Sequence, residues 1–245
     1  MIEIKSASIS FGKKNVLQNV SVKSEIMSNT VILGKNGSGK SVLLKIAAGL
    51  LVPDSGEVLF DGKKISSEDY FRANKLSIGY VFQKGGLFDS MNLFDNVAFP
   101  LRRKGLTENE IPDIVLYNLR RVGLEGSEEK FPTELSGGMQ KRAGIARVLA
   151  MKPKVILYDD PAAGLDPVLT DSIADLILEI RETEKTTSLI VTHDMKFAEK
   201  IADEIVLLDS SQIVFYGDKN KFFSLEDPFA HQFVKGEIEG PIECQ

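Results

Sequence analysis

Gly34-Lys35-Asn36-Gly37-Ser38-Gly39-Lys40-Ser41 is the stretch from which the rest of the chain is read. It fits G-x-x-x-x-G-K-S/T, the pattern of a phosphate-cradling loop. Thr30-Val31-Ile32-Leu33 before it is apolar and β-branched, as a buried parallel strand is. Val42 to Ala48 after it has amphipathic helical spacing and stops at Gly49. The motif therefore lies between a strand and a helix N-terminus. There, glycines let the backbone wrap an anion, and unpaired N–H groups and the positive dipole end face it. In this pattern Lys40 reaches the β- and γ-phosphates and the Ser41 hydroxyl ligates Mg²⁺. Lys40 is expected to stand exposed, with no packing depending on it. The stretch predicts a nucleoside-triphosphate site.

At 245 residues the chain is long enough for one large α/β domain or a core with a smaller subdomain. With 43% hydrophobic and 27% charged residues it has the composition of a soluble globular protein. A net charge of −5 argues against a general nucleic-acid binder, which would be basic. Cys244 is the single cysteine, so a reducing, cytoplasmic setting is expected and no disulfide can form within the chain. Met1 to Lys5 does not read as a signal peptide, and no stretch approaches the roughly eighteen apolar residues that span a bilayer. Any service to a membrane is expected to be peripheral.

On either side of the loop, β/α alternation dominates. Ile2, Ile4, Ile9 and Phe11 alternate with polar residues, and Val16 to Val22 repeats the pattern. Pro53 to Gly56 reads as a turn, Glu57 to Phe60 as a strand, and Asp61-Gly62 as a hairpin. Ser77 to Phe82 is a further strand, with Gln83 directly after it. Between Lys84 and Lys154 helical periodicity takes over, at Leu93, Val97 and Leu101, at Ile111 to Val122, and at Met139 to Ala150. Strand Val155 to Tyr158, a helix from about Pro167 to Arg181, and strands at Thr187, Glu204 and Ile213 restore the alternation. The expected fold is an α/β P-loop core (1–83 and 155–225) with an N-terminal antiparallel β part. An inserted helical subdomain (84–154) and a tail (226–245) complete a single domain spanning 1–245.

Two further elements carry chemistry. The strand Val155-Ile156-Leu157-Tyr158 ends in Asp159 and Asp160. A buried strand ending in carboxylates partners a P-loop: Asp159 would hold Mg²⁺, and Asp160 is placed to orient or activate the attacking water. Leu135-Ser136-Gly137-Gly138-Met139-Gln140 opens a basic helix containing Lys141, Arg142 and Arg147, and its Ser-Gly-Gly start is a second anion site. One triphosphate does not need two helix-terminus clamps in one chain, so the site is expected to be completed between two chains.

With these motifs in this order, the chain resembles the ATP-binding-cassette ATPases over nearly its whole length. The resemblance extends to Gln83 after a strand, to Gly164-Leu165-Asp166, and to His193 before Asp194. It implies ATP and Mg²⁺ as ligands. Gly34, Lys35, Asn36, Gly37, Ser38, Gly39, Lys40, Ser41 and Val42 would hold the nucleotide, and Phe11 would stack on adenine. Ser41, Gln83 and Asp159 would attend the metal. Lys40, Gln83, Asp160 and His193 would serve hydrolysis, with His193 as the switch histidine at the γ-phosphate. Ser136, Gly137 and Gly138 would close over the P-loop of a second copy, and Asp166 would connect the paired sites. A membrane permease would dock between Gln83 and Asn96, with Phe88 and Leu93 within crosslinking reach.

The family usually has Glu where this chain has Asp160. The shorter acid pulls the carboxylate back by about one methylene, and ~1 Å of misplacement costs on the order of a hundredfold in rate unless the loop compensates. Gly85 to Arg102, Met139, and the tail from Asp227 to Ile242 resemble the subgroup that energises Mce/Mla-type lipid transport in double-membraned bacteria. That implies phospholipid movement between inner and outer membranes from the cytoplasmic face of the inner membrane. An Mce-domain protein and a small STAS-domain protein would be partners beside the permease, and nucleic acid would not. The alternatives are an importer of amino acids or other polar solutes, and a soluble cassette ATPase. Pro228 to Ile242 is expected to start like a helix, at Phe229, Phe233 and Val234, to end in a Gly/Pro-rich acidic stretch that holds no fold alone, and to dock on the partner cassette or a small regulator.

Overall fold

Strand alternation and turn chemistry build two sheets, seen in a computed structural model that describes residues 1–65, 77–237 and 239–242. Cys244 lies outside the described residues. β1 (Ile2–Phe11) and β2 (Lys14–Ser24) pair antiparallel. β3 (Asn29–Leu33) leaves this sheet for the core. β4 (Ser55–Phe60) and β5 (Lys63–Lys64) complete a four-stranded sheet of order β2-β1-β4-β5. Asp61 and Gly62 have φ of 48° and 76°, so the expected hairpin turn forms with both central residues left-handed. Ser55 and Gly56, expected in a turn, already belong to β4, because Ser55 pairs with Ser8 of β1.

The second sheet contains β6 (Ile78–Val81), β7 (Val155–Asp159), β8 (Thr187–Val191), β9 (Glu204–Asp209) and β10 (Gln212–Asp218), in the order β10-β9-β3-β8-β7-β6. Its ladders are parallel except for the β9–β10 hairpin. β3 and β8 are buried along their whole length, and after polar starts at Asn29-Thr30 and Thr187-Ser188 each ends in a run of three apolar residues. The parallel ladders bring the carboxyl ends of β3, β6, β7 and β8 to one edge, where open α/β sheets bind ligands.

The α-helices among the described residues are α1 (Lys40–Ala47), α2 (Leu93–Lys104), α3 (Ile111–Arg121), α4 (Gly137–Leu149), α5 (Pro167–Glu184), α6 (Met195–Ile201), α7 (Lys219–Phe223) and α8 (Pro228–Lys235). Their starts follow capping chemistry: Asn92, Ser136, Asp166, Asp194 and Asp227 each accept from backbone N–H groups of the first turn. Two apolar clusters flank the central sheet. Ile32 joins β1, β2 and α1 on one face, while Val31 and Leu33 join the helical side on the other, as strand alternation requires. Leu93, Val97, Val115 and Leu119 belong to that same cluster, so the helices between residues 84 and 154 share a core with the sheet.

The tail folds back. After Gly236, left-handed at φ 68°, Gln232 Nε2 donates to the Ile242 carbonyl at 2.9 Å and Ile242 N donates to Gln232 Oε1 at 2.6 Å. Ile242 is 2% exposed. The Gly/Pro-rich end takes its conformation from the domain it packs on: Ile242 buries itself in the core cluster with Phe222 and Ala230, and Gln232 closes the turn.

Candidate nucleotide site

The P-loop bends from β3 into α1 through Gly39, which caps the helix at φ 104°. A Cβ there would meet the Val16 carbonyl and Leu17 Cδ2, both at 2.8 Å, so the position needs glycine for space as well as for backbone angle. The helix begins at Lys40, inside the motif.

Four strand ends converge on a pocket of about 280 Å³. Asn36, Gly37, Gly39, Lys40, Ser41 and Val42 line it from the P-loop, Gln83 from the end of β6, Asp159 and Asp160 from β7, and Val191 and His193 from β8. Val16, on the neighbouring β2, completes the wall. Gly34, Lys35 and Ser38 belong to the loop but not to the wall; Ser38 Oγ is buried without a hydrogen-bond partner.

Ser41 Oγ donates to Asp159 Oδ1 at 2.8 Å, and Tyr80 OH donates to Asp159 Oδ2 at 2.8 Å. Burial, then the neighbouring Asp159 charge, holds the Tyr80 phenol well above its ordinary pKa, so it is a neutral donor. The pocket thus offers a hydroxyl, a carboxylate and the Gln83 amide, hard oxygen donors of the kind Mg²⁺ takes together with substrate phosphates. These residues fit that ion.

Lys40 is 8% exposed, which overturns the expectation that nothing packs on it. Its ammonium donates to the Gly34 carbonyl at 2.7 Å and to the Lys35 carbonyl at 2.8 Å, holding the loop closed on itself. Burial lowers its pKa, while Asp160 and Asp159 pull the other way.

Asp160 takes a left-handed φ of 48°, and its N–H donates to the Val191 carbonyl at 2.9 Å. Thr192 Oγ1 donates to Asp160 Oδ1 at 3.2 Å, and His193 Nδ1 lies 2.8 Å from Asp160 Oδ2. The carboxylate is 13% exposed and the imidazole 59%. The short acid is therefore aimed at the end of β8 rather than left short of a target.

Lys141, on α4, is 7% exposed and donates to the Gln83 carbonyl at 2.9 Å and the Asp160 carbonyl at 3.4 Å. Burial lowers its pKa against the pull of Asp160. Beside it, a Cβ on Gly144 would meet the Gly85 carbonyl at 2.5 Å, so α4 and the loop after β6 pack backbone to backbone. Sequence reasoning missed Tyr80, Lys141, Thr192 and Val16. A tyrosine in a strand and a lysine in a basic helix carry no motif; only the folded chain brings them to the carboxylates.

The remaining expected residues lie outside the wall. Phe11 is 51% exposed at the end of β1. Ser136 caps α4 by accepting from Met139 N at 3.3 Å, with Gly137 exposed and Gly138 buried. Asp166 caps α5, accepting from Val168 N and Leu169 N. Within one chain these residues do not line the P-loop pocket.

A separate apolar groove of about 590 Å³ runs beside β6, with Tyr80, Phe82, Phe88, Phe99, Pro100 and Met151 in its wall. Two residues expected there are core residues instead. Leu93 is fully buried, and Asn96 turns inward, accepting from Phe88 N and donating to the Phe88, Met91 and Asn92 carbonyls. Helical periodicity put Leu93 on the inward stripe with Val97 and Leu101, which rules out the groove for it.

The family profile described as ABC transporter matches residues 17–163. The chain is 42% identical over 245 residues to the probable ribonucleotide transport ATP-binding protein mkl of Mycobacterium leprae, covering 98% of this chain and 70% of that protein. It is 37% identical to the intermembrane phospholipid transport system ATP-binding protein MlaF of Haemophilus influenzae, covering 99% and 93% of the two chains. Its fold matches a dimeric ATP-binding cassette in a post-hydrolysis state bound to ADP and Pi. The TM-score is 0.81 at 30% identity, over 89% of this chain and 99% of that one.

Proposed function

The chain belongs to the ABC transporter family as an ATP-binding, ATP-hydrolysing cassette, and on that premise we propose that it powers phospholipid transport between two membranes. The observation that carries the site is the convergence of Lys40, Ser41, Gln83, Asp159, Asp160 and His193 on one pocket at the carboxyl edge of the sheet. The cargo reading is supported by likeness over nearly the whole chain to a protein named for intermembrane phospholipid transport.

In this reading the P-loop N–H groups and Lys40 hold the β- and γ-phosphates. Ser41, Asp159 and Gln83 hold Mg²⁺, which when bound neutralises charge on the phosphate oxygens. Asp160 accepts a hydrogen bond from the attacking water, orienting it and taking its proton. His193 steadies the far carboxylate oxygen and reaches the γ-phosphate from its exposed face. Lys141 fixes the Gln83 and Asp160 backbones to one helix. Two copies sandwich ATP, with Ser136, Gly137 and Gly138 of each facing the P-loop of the other, Asp166 linking the two sites, and Phe11 against adenine. The segment 84–154 is the arm that carries that face.

Among the described residues no helix is long and apolar enough to cross a membrane. The groove beside β6 takes a short helix from a permease, placing the chain on the cytoplasmic face of the inner membrane. An Mce-domain protein and a STAS-domain protein complete the assembly. The test is to purify the chain with its membrane partners and identify co-purifying lipid by mass spectrometry. Enriched phospholipid together with ATPase activity supports the proposal; a complex with a periplasmic solute-binding protein and no enriched lipid refutes the cargo.

A further inference from the structure

Tyr80 touches two places that the fold otherwise keeps apart. Its ring is part of the wall of the apolar groove, packed against Phe82 with ring centroids 4.6 Å apart. Its hydroxyl donates to Asp159 Oδ2 at 2.8 Å, while Ser41 Oγ occupies Asp159 Oδ1. The edge position of β6 explains this reach. With no strand beyond it among the described residues, Ile78, Tyr80 and Phe82 lie along the groove, and the neighbouring ladder puts the end of β7 within reach of the phenol. Phe82 is 42% exposed, so an occupant of the groove meets that ring directly.

We propose that Tyr80 is a positioning residue that ties the packing of the groove to the orientation of the Asp159 carboxylate. The proposal rests on the reading of this pocket as a Mg²⁺–nucleotide site. A carboxylate that serves a metal through one oxygen depends on what holds the other, and outer partners of this kind typically set metal affinity by 10–100-fold. Whatever shifts the Phe82 ring shifts the Tyr80 ring packed against it at a tilt, and the hydroxyl carries that shift to Asp159. Gln83, next in the chain, reaches the pocket through its own side chain, so the two routes run in parallel and can be separated by mutation.

The experiment is a Mg²⁺ titration of the full chain at saturating ATP, followed by thermal stabilisation rather than turnover. Wild type, Tyr80→Phe, Phe82→Ala and the double variant are compared. Tyr80→Phe keeps the ring and the groove wall and removes only the donor, so its half-saturation by Mg²⁺ should rise about tenfold or more. Phe82→Ala should raise it when Tyr80 is intact and leave it unchanged when combined with Tyr80→Phe, within the roughly twofold scatter of additive effects. An unchanged half-saturation in Tyr80→Phe overturns the proposal. Equal effects of Phe82→Ala with and without Tyr80→Phe also overturn it, since Phe82 would then act without Tyr80. Absence of any Mg²⁺ response in the wild type would instead remove the underlying reading of the site.

Discussion

His193 Nδ1 stands 2.8 Å from Asp160 Oδ2. With the proton on Nδ1, the imidazole donates to the carboxylate while Thr192 holds its other oxygen. Asp160, the residue after Asp159, is thus already oriented, at the cost of a left-handed backbone angle that non-glycine residues seldom adopt. In the proposed reading these contacts are how the loop accommodates Asp where the family usually has Glu. Asp160→Glu must push its extra methylene past Thr192 and His193. Its single-turnover rate should therefore be no higher than that of the wild type, and a faster enzyme would show that the adjustment is not there.

Lys40→Ala should abolish ATP hydrolysis and also destabilise the chain. The Gly34 and Lys35 carbonyls lose the ammonium, Lys35 keeping the Ser38 N–H at 3.2 Å, and a buried acceptor that loses its donor costs about 1–3 kcal/mol. At roughly 2–4 °C per kcal/mol for a chain of this size, a melt of the nucleotide-free protein should fall by several degrees. An unshifted melt would mean that the ammonium supports nothing in the resting loop.

Lys141→Met should slow hydrolysis with little change in ATP affinity. Lys141 touches the backbones of Gln83 and Asp160 and does not line the pocket. The measurement is kcat against KM. A rise in KM with kcat unchanged would contradict a role in holding the hydrolytic residues.

Truncation after Gly236 should lower the melting temperature by a few degrees and leave ATP binding intact. It removes the Ile242 groups that bond Gln232 and uncovers the apolar surface around Ile242. Equal stability would mean that the folded-back tail contributes nothing within the chain. Weakened assembly with membrane partners at equal stability would return the tail to a docking role.

Much of this was legible in the sequence because local chemistry and the fold agree. The Gly34–Ser41 loop needs glycine angles that no other composition supplies so cheaply, the Leu189-Ile190-Val191 run of β8 reads as a buried strand, and Asp61-Gly62 demands a left-handed pair. The failures share a cause. Burial of Lys40, the inward turn of Asn96 and the clasp between Gln232 and Ile242 all depend on backbone carbonyls brought near by folding, which no side-chain pattern records. Tyr80 and Lys141 act on the site from elements whose own sequences describe only a strand and a charged helix.

The central claim is that the pocket hydrolyses ATP with Asp160 as the acid that positions water. The most direct test is the single-turnover rate of Asp160→Asn with bound Mg-ATP. Lys40, Ser41 and Asp159 are untouched, so nucleotide should still bind and the closed pair of chains should accumulate. The rate should fall 10²–10⁴-fold, the usual cost of losing a general base. A rate within about threefold of the wild type, far short of that loss, would show that Asp160 is a structural acid and that another group directs the water.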